Sequence, residues 1–264
     1  MFIPILFFAG ISLVAGVILT VAGKVFHVEI DDSVDNLTRV LPGINCGACG
    51  YASCERYATA IAKENAEPNN CKPGGEETVN KIAQVLGREI AAVEPYVAFV
   101  HCSGTCTRKY KYRGTESCRA SELYYNGKEV CRYGCAGLGD CAEVCPTGAI
   151  TITTGRRALI VHQKCIACGL CRKVCPKSII SLQKACKEVH VACFSKDIGK
   201  TTKSICRTGC IACRLCEKKC PQKAIVVSEN LAKINYEQCN NCGECAAVCP
   251  VKCIVVRICD KDNE

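Results

Sequence analysis

Tryptophan is absent from this sequence, methionine occurs once, and histidine occurs four times among 264 residues. No two histidines stand three to five residues apart, so the Cys/His spacing of common zinc modules is missing. No nucleotide-phosphate loop, hydrolase triad or flavin fingerprint is present, which leaves the chain without an evident catalytic site of its own. No long apolar run follows the first one. The hydrophobic share of 49% nevertheless excludes disorder of the whole chain. What abounds is cysteine, with 28 residues. At that density the options are a disulfide scaffold, a set of zinc sites or a string of iron–sulfur clusters, and spacing decides between them. Disulfide-dense proteins are usually much shorter and secreted.

From Phe2 to Gly23 the run FIPILFFAGISLVAGVILTVAG carries no charged side chain. It has the length a helix needs to cross a ~30 Å hydrocarbon core, so a transmembrane anchor is expected over 1–25. No basic residue precedes the run and no A-x-A cleavage pattern follows it, unlike a signal peptide. Lys24 and Arg39 come after it, which predicts a single N-terminal span of a cell (inner) membrane with the body on the cytoplasmic side. Reduced thiols agree with that side. The acidic stretch Glu29, Asp31, Asp32 and Asp35 reads as a solvated linker over 26–40.

The strongest internal signal is a fourfold repeat around Cys-Pro pairs. Cys145-Pro146 continues as TGAITI, Cys175-Pro176 as KSIISL, Cys220-Pro221 as QKAIVV and Cys249-Pro250 as VKCIVV, each a strand-like run. Three copies have an unbroken C-x₂-C-x₂-C-x₃-C-P: Cys165, Cys168, Cys171, Cys175; Cys210, Cys213, Cys216, Cys220; and Cys239, Cys242, Cys245, Cys249. The looser copy reads Cys131, Cys135, Cys141, Cys145. Three crowded thiolates suit one face of a [4Fe–4S] cubane, and the Cys before Pro reaches the neighbouring cluster. That rule expects four sets: Cys131, Cys135, Cys141 with Cys175; Cys165, Cys168, Cys171 with Cys145; Cys210, Cys213, Cys216 with Cys249; and Cys239, Cys242, Cys245 with Cys220. Zinc or redox C-x-x-C pairs are the alternative, though seven residues holding three thiolates suit a cubane better. These segments resemble bacterial two-cluster ferredoxins, with modules at 129–183 and 205–258 and an insert at 184–204. RALIV at 157–161 and LAKINY at 231–236 supply further strands, and modules this small need bound metal for stability.

Residues 41–87 form a different unit. Cys46, Cys49, Cys54 and Cys71 follow C-x₂-C-x₄-C-x₁₆-C without a Cys-Pro pair. A Gly-rich loop leads into the helix formers of SCERYATAIAKENA, which returns the chain toward Cys71. The pattern is similar to the small four-iron four-sulfur domain of Rnf-type B subunits and of an acetyl-CoA decarbonylase/synthase subunit; zinc is the alternative. Val79, Ile82 and Leu86 fall on one face of a following helix and read as core. A connecting segment spans 88–128 and a tail 259–264.

Eight cysteines remain: Cys102, Cys106, Cys118, Cys186, Cys193, Cys206, Cys253 and Cys259. Cys253 occupies the place of Ala149, Ile179 and Ala224 in the other repeats and reads as a small buried residue. Cys102, Cys106 and Cys118 have a plausible ligand spacing, while Cys193 and Cys206 bracket the insert, so further clusters are an open alternative.

The formal charge of +9 would suggest nucleic acid. An oxidised cubane with four thiolates carries roughly two negative charges, so five clusters add about −10 and cancel it. No nucleic-acid partner is expected. The basic segments 107–113 and 196–207 remain as surfaces that could steer an acidic electron carrier.

The order of anchor, small iron–sulfur domain and two dicluster modules resembles the B subunit of Rnf complexes, ion-translocating ferredoxin:NAD⁺ oxidoreductases, over essentially the whole chain. The resemblance implies an α+β chain with at least five [4Fe–4S] clusters. It implies a relay that accepts electrons from reduced ferredoxin and passes them to flavin- and nicotinamide-binding or membrane partner subunits while the complex moves Na⁺ or H⁺. The alternatives are an iron–sulfur subunit of a membrane hydrogenase, formate dehydrogenase or reductase, and, from another class, a cluster-bearing scaffold or redox sensor.

Overall fold

The computed structural model describes residues 2–25, 31–91, 94–154 and 157–257. Its first element is helix α1, Phe2–Val25. Among the described residues no helix is long and apolar enough to cross a membrane, which corrects the expected N-terminal span. Helix α1 carries Ser12 and Thr20 among its apolar residues, and their hydroxyls bond back to the Phe8 and Gly16 carbonyls within the helix.

Helices α2 (Asp32–Val40), α3 (Cys54–Lys63) and α4 (Gly75–Leu86) pack together as a small bundle. Asp31 caps α2 by accepting from the Ser33 N–H at 3.0 Å, and the acidic first turn complements the helix dipole. Val34 and Leu37 of α2 are buried against Tyr57, Ala58 and Ile61 of α3 and Ile82 of α4. The acidic stretch expected as a linker is therefore, from Asp31 onward, the cap and first turn of an amphipathic helix; Glu29 lies outside the described residues.

The rest of the chain folds as two similar units of short strands and one-turn helices. In the first, β1 (Tyr96–Val100) leads through α5 (Cys118–Glu122) and α6 (Asp140–Glu143) to β2 (Ile150–Ile152), β3 (Ala158–Ile160), α7 (Leu170–Val174) and β4 (Ile180–Lys184). In the second, β5 (Val189–Val191) and α8 (Gly199–Ile205) precede α9 (Leu215–Lys219), β6 (Ile225–Ser228), β7 (Leu231–Ile234), α10 (Glu244–Ala247) and β8 (Ile254–Val256). Each unit holds two antiparallel two-stranded ribbons: β2 with β3 and β1 with β4 in the first, β6 with β7 and β5 with β8 in the second. The four strand-like runs after Cys-Pro are thus β2, β4, β6 and β8. The strands that pair with β4 and β8 come from residues 96–100 and 189–191, so each unit starts upstream of its cysteine repeat.

The cores of both units are built around cysteine. Val100, Ile150, Ile160, Ile179 and Ile180 surround Cys141 and Cys171 in the first. Val189, Val191, Ile225, Val227 and Ile254 surround Cys210, Cys216 and Cys245 in the second. Phe99 of β1 stacks on His190 of β5 with ring centroids 4.3 Å apart, which ties the two units together.

Candidate metal centres

In the N-terminal bundle, Ser53 caps α3 by accepting from the Arg56 N–H at 3.1 Å, and Asn45 Oδ1 accepts from the Cys54 N–H at 2.7 Å. These bonds fix the loop from Cys46 to Cys54 over the helix. Burial pushes the Cys71 thiol up to about 11, and the nearby thiols of Cys49, Cys54 and Cys46 act in the same direction. Those three thiols thus lie within electrostatic reach of Cys71. Lys173 of α7 donates to the Cys46 carbonyl at 2.5 Å, joining this centre to the first ferredoxin-like unit. Burial also raises the Cys168 thiol, with Cys46 adding to the effect.

Three cavities in the two units are lined by cysteine quartets. One is lined by Cys145, Cys165, Cys168 and Cys171. Another is lined by Cys220, Cys239, Cys242 and Cys245. Both bring the Cys before Pro of one repeat to the three thiols of the other. Cys210, Cys216 and Cys249 pack in the same core; burial pushes Cys216 up to about 12, with Cys210, Cys213 and Cys249 acting likewise.

The third cavity is lined by Cys118, Cys135, Cys141 and Cys175. Here the structure departs from the expected set: Cys131 lines a different cavity, and Cys118 stands in its place. The backbone explains the exchange. In the regular repeats the middle cysteine is flanked by residues in the left-handed region: Ala167 and Gly169 around Cys168, Ala212 and Arg214 around Cys213, Asn241 and Gly243 around Cys242. In the first repeat Gly137 and Gly139 take that conformation (φ 60° and 100°) around Leu138. The loop therefore keeps its shape from repeat to repeat, Cys135 and Cys141 hold its outer positions, and the middle thiol is missing. Cys118, at the start of α5, supplies it. Its thiol accepts from the backbone N–H groups of Leu138 and Gly139. Asp140 of α6 anchors it there, Oδ1 accepting from Cys118 N–H at 2.6 Å and Oδ2 from Arg119 N–H at 3.1 Å and the Ser117 hydroxyl at 3.0 Å. Counting back from Cys145 by the regular spacing places Leu138 at the middle position, which was the signal available in the sequence.

Cys253 is fully buried, and its Sγ lies 3.6 Å from Cys249 Sγ. Its thiol hydrogen bond holds Cys249 at about 5 against the opposing effect of burial. Cys186 is exposed, and Cys259 lies outside the described residues.

Among the described residues no group of three or more His, Cys, Asp or Glu side chains is gathered as a single metal ion would need. Backbone N–H groups point at the sulfurs of the quartets: Ala98 to Cys165 at 3.4 Å, Ala149 to Cys145 and Ala224 to Cys220 at 3.3 Å. Such donors stabilise the charge of a thiolate-ligated cubane, so the donor set fits [4Fe–4S] clusters.

Comparison with known families agrees with this chemistry. Residues 41–73 match the family described as "Putative Fe-S cluster", and residues 131–180 and 209–253 each match a 4Fe-4S dicluster domain. The B subunit of the ion-translocating oxidoreductase complex of Methanosarcina acetivorans is 39% identical over 252 residues, covering 94% of this chain and 96% of that protein. The B subunit of the Na⁺-translocating ferredoxin:NAD⁺ oxidoreductase complex of Acetobacterium woodii is 38% identical, covering 96% of this chain and 77% of its own length. The proton-translocating counterpart from Clostridium ljungdahlii is 39% identical over 92% of this chain and 88% of its own.

Proposed function

We infer the function from one premise: the chain belongs to the B subunits of ion-translocating oxidoreductase complexes, the Rnf family. It is an iron–sulfur electron-relay subunit of an oxidoreductase and carries multiple [4Fe–4S] clusters. We assign five ligand sets: Cys46, Cys49, Cys54, Cys71; Cys118, Cys135, Cys141, Cys175; Cys145, Cys165, Cys168, Cys171; Cys210, Cys213, Cys216, Cys249; and Cys220, Cys239, Cys242, Cys245. Bound there, the clusters supply one-electron carriers, and hydride chemistry belongs to flavin- and nicotinamide-binding partners.

The observation that carries the relay is continuity. The Cys46 loop is held on α7 beside Cys168, and the Cys-Pro cysteines cross between neighbouring cages within each unit. The donor in this proposal is reduced ferredoxin, the body lies on the cytoplasmic face of a membrane-associated complex, and Na⁺ or H⁺ moves through partner subunits. The basic segments support ferredoxin docking because they adjoin: the Thr107 N–H donates to the Ile205 carbonyl at 3.1 Å, which brings 107–113 and 196–207 to one face. An acidic carrier would be steered to it.

The test is stopped-flow mixing of the anaerobically purified complex with reduced ferredoxin at rising ionic strength. Cluster reduction that slows with salt is expected. A complex that ferredoxin leaves oxidised, but that hydrogen or formate reduces, would transfer the assignment to a hydrogenase or formate dehydrogenase subunit.

A further inference from the structure

The two ferredoxin-like units meet around a fourth thiol-lined cavity. Cys102, Cys106, Cys131, Cys193 and Cys206 reach it, and none of them belongs to the five sets assigned above. Their positions follow the internal repeat. Cys102 comes two residues after the end of β1, and Cys193 two residues after the end of β5. Cys131 precedes Cys135 by four residues, and Cys206 precedes Cys210 by four. The contacts repeat as well: Cys102 Sγ accepts from the Cys135 N–H at 3.4 Å, and Cys193 Sγ accepts from the Cys210 N–H at 3.3 Å. Each unit therefore contributes an equivalent pair of cysteines to one shared cavity.

The thiols lie within electrostatic reach of one another. Burial pushes Cys131 up to about 11, and the thiols of Cys102, Cys193 and Cys206 all act in the same direction. Further donors face the sulfurs: the Gly104 N–H points to Cys102 at 3.4 Å, and the Thr105 hydroxyl lies 3.3 Å from Cys206 Sγ. Cys106 differs from the other four. Its Sγ donates toward Glu129 Oε2 at 3.5 Å, a buried carboxylate that favours a protonated thiol over a metal-bound thiolate. Gly134 stands against it, since a Cβ there would come within 3.2 Å of Cys106 Sγ.

We propose that Cys102, Cys131, Cys193 and Cys206 ligate a further [4Fe–4S] cluster at the junction of the two units, with Cys106 outside the ligand set. Each thiol gives up its proton as its Fe–S bond forms. The site stands on its own geometry; its role rests on the relay reading. Cys135 and Cys210, whose N–H groups donate to Cys102 and Cys193, belong to the two ligand sets assigned on either side. A cluster here connects the two units into one path, Cys46 to Cys71 at one end and Cys239 to Cys245 at the other.

The experiment is iron and acid-labile sulfide per full-length chain, purified anaerobically, with low-temperature EPR spin counts after reduction. About 24 Fe is expected for the unaltered chain, against about 20 without this cluster. The double variant C193A/C206A should lose about four Fe and one reducible centre while the other signals persist, and C106A should lose none. A count of about 20 in the unaltered chain overturns the proposal, whether or not any variant folds. Loss of iron in C106A with none in C193A/C206A overturns the ligand set. Ferredoxin that fails to reduce a chain carrying about 24 Fe would instead sink the relay reading and leave the site intact.

Discussion

Cys118 and Cys131 can be separated by single substitutions. If Cys118 belongs with Cys135, Cys141 and Cys175, then C118A and C175A should diminish the same EPR signal, and the double variant should lose no more than either alone. C131A should leave that signal in place. An unchanged spectrum in C118A, with the Cys175-dependent signal lost in C131A, would restore the set expected from sequence. The proposed set differs from that expectation at one residue for a physical reason. The thiol that completes the loop comes from a helix some twenty positions upstream, and spacing reveals only ligands that share a loop. Cys253 carries a second prediction. Its thiol lies 3.6 Å from Cys249 Sγ, and a hydrogen bond to a ligand sulfur favours the reduced, more negative cluster. C253A removes that donor and keeps the small apolar volume. The midpoint potential of the centre bound by Cys249 should fall by roughly 40 mV if the bond favours the reduced state by ~1 kcal/mol, measured by EPR-monitored redox titration.

At the scale of elements, α5 depends on α6. Burial pushes the Asp140 carboxyl up, but the N–H groups of Cys118 and Arg119 and the Ser117 hydroxyl hold it below the ordinary carboxylate value. D140A leaves those donors without a partner at a cost of roughly 2–4 kcal/mol and frees Cys118 to drift. We expect the Cys118-dependent cluster to degrade to a three-iron form on mild oxidation, visible in EPR of the oxidised protein, with D140N intermediate because its amide keeps only one of the two accepting oxygens. A D140A protein as resistant to oxidation as the parent would remove α5 from the argument. The contact between β1 and β5 carries a pH prediction. Burial holds the His190 imidazole down at about 4, with Arg257 acting in the same direction. The unfolded chain takes up that proton near pH 6.5 and the folded chain only near 4. This contribution is therefore fully present above about pH 6.5 and is lost as pH falls toward 4, by at most about 3 kcal/mol. Denaturant midpoints of the holoprotein should fall over that window, and H190Q should flatten the slope. The sequence located the strands after each Cys-Pro pair, β3, β7 and the helices α3 and α4, but read α2 as a linker. It could not locate β1 and β5 as partners of β4 and β8, because such pairing is set by contacts between residues far apart in the chain.

Across the whole molecule, ligand sulfurs occupy the middle of both ferredoxin-like cores, whereas the N-terminal bundle also has an apolar core of Leu37, Tyr57, Ile61 and Ile82. Two-stranded ribbons of three to five residues have little stability alone, so the bound clusters hold these units together. The bundle depends less on its cluster, because α2, α3 and α4 bury side chains against one another. Iron removal by chelator under reducing, anaerobic conditions should therefore act unevenly. Hydrogen exchange should show backbone amides of β2, β3, β6 and β7 losing nearly all protection, while those in the middle of α3 keep part of theirs. Uniform loss across the chain would mean that the bundle also requires its cluster. Retained protection in the ribbons would mean that their aliphatic side chains suffice, contrary to the placement of sulfur at the centre of each core.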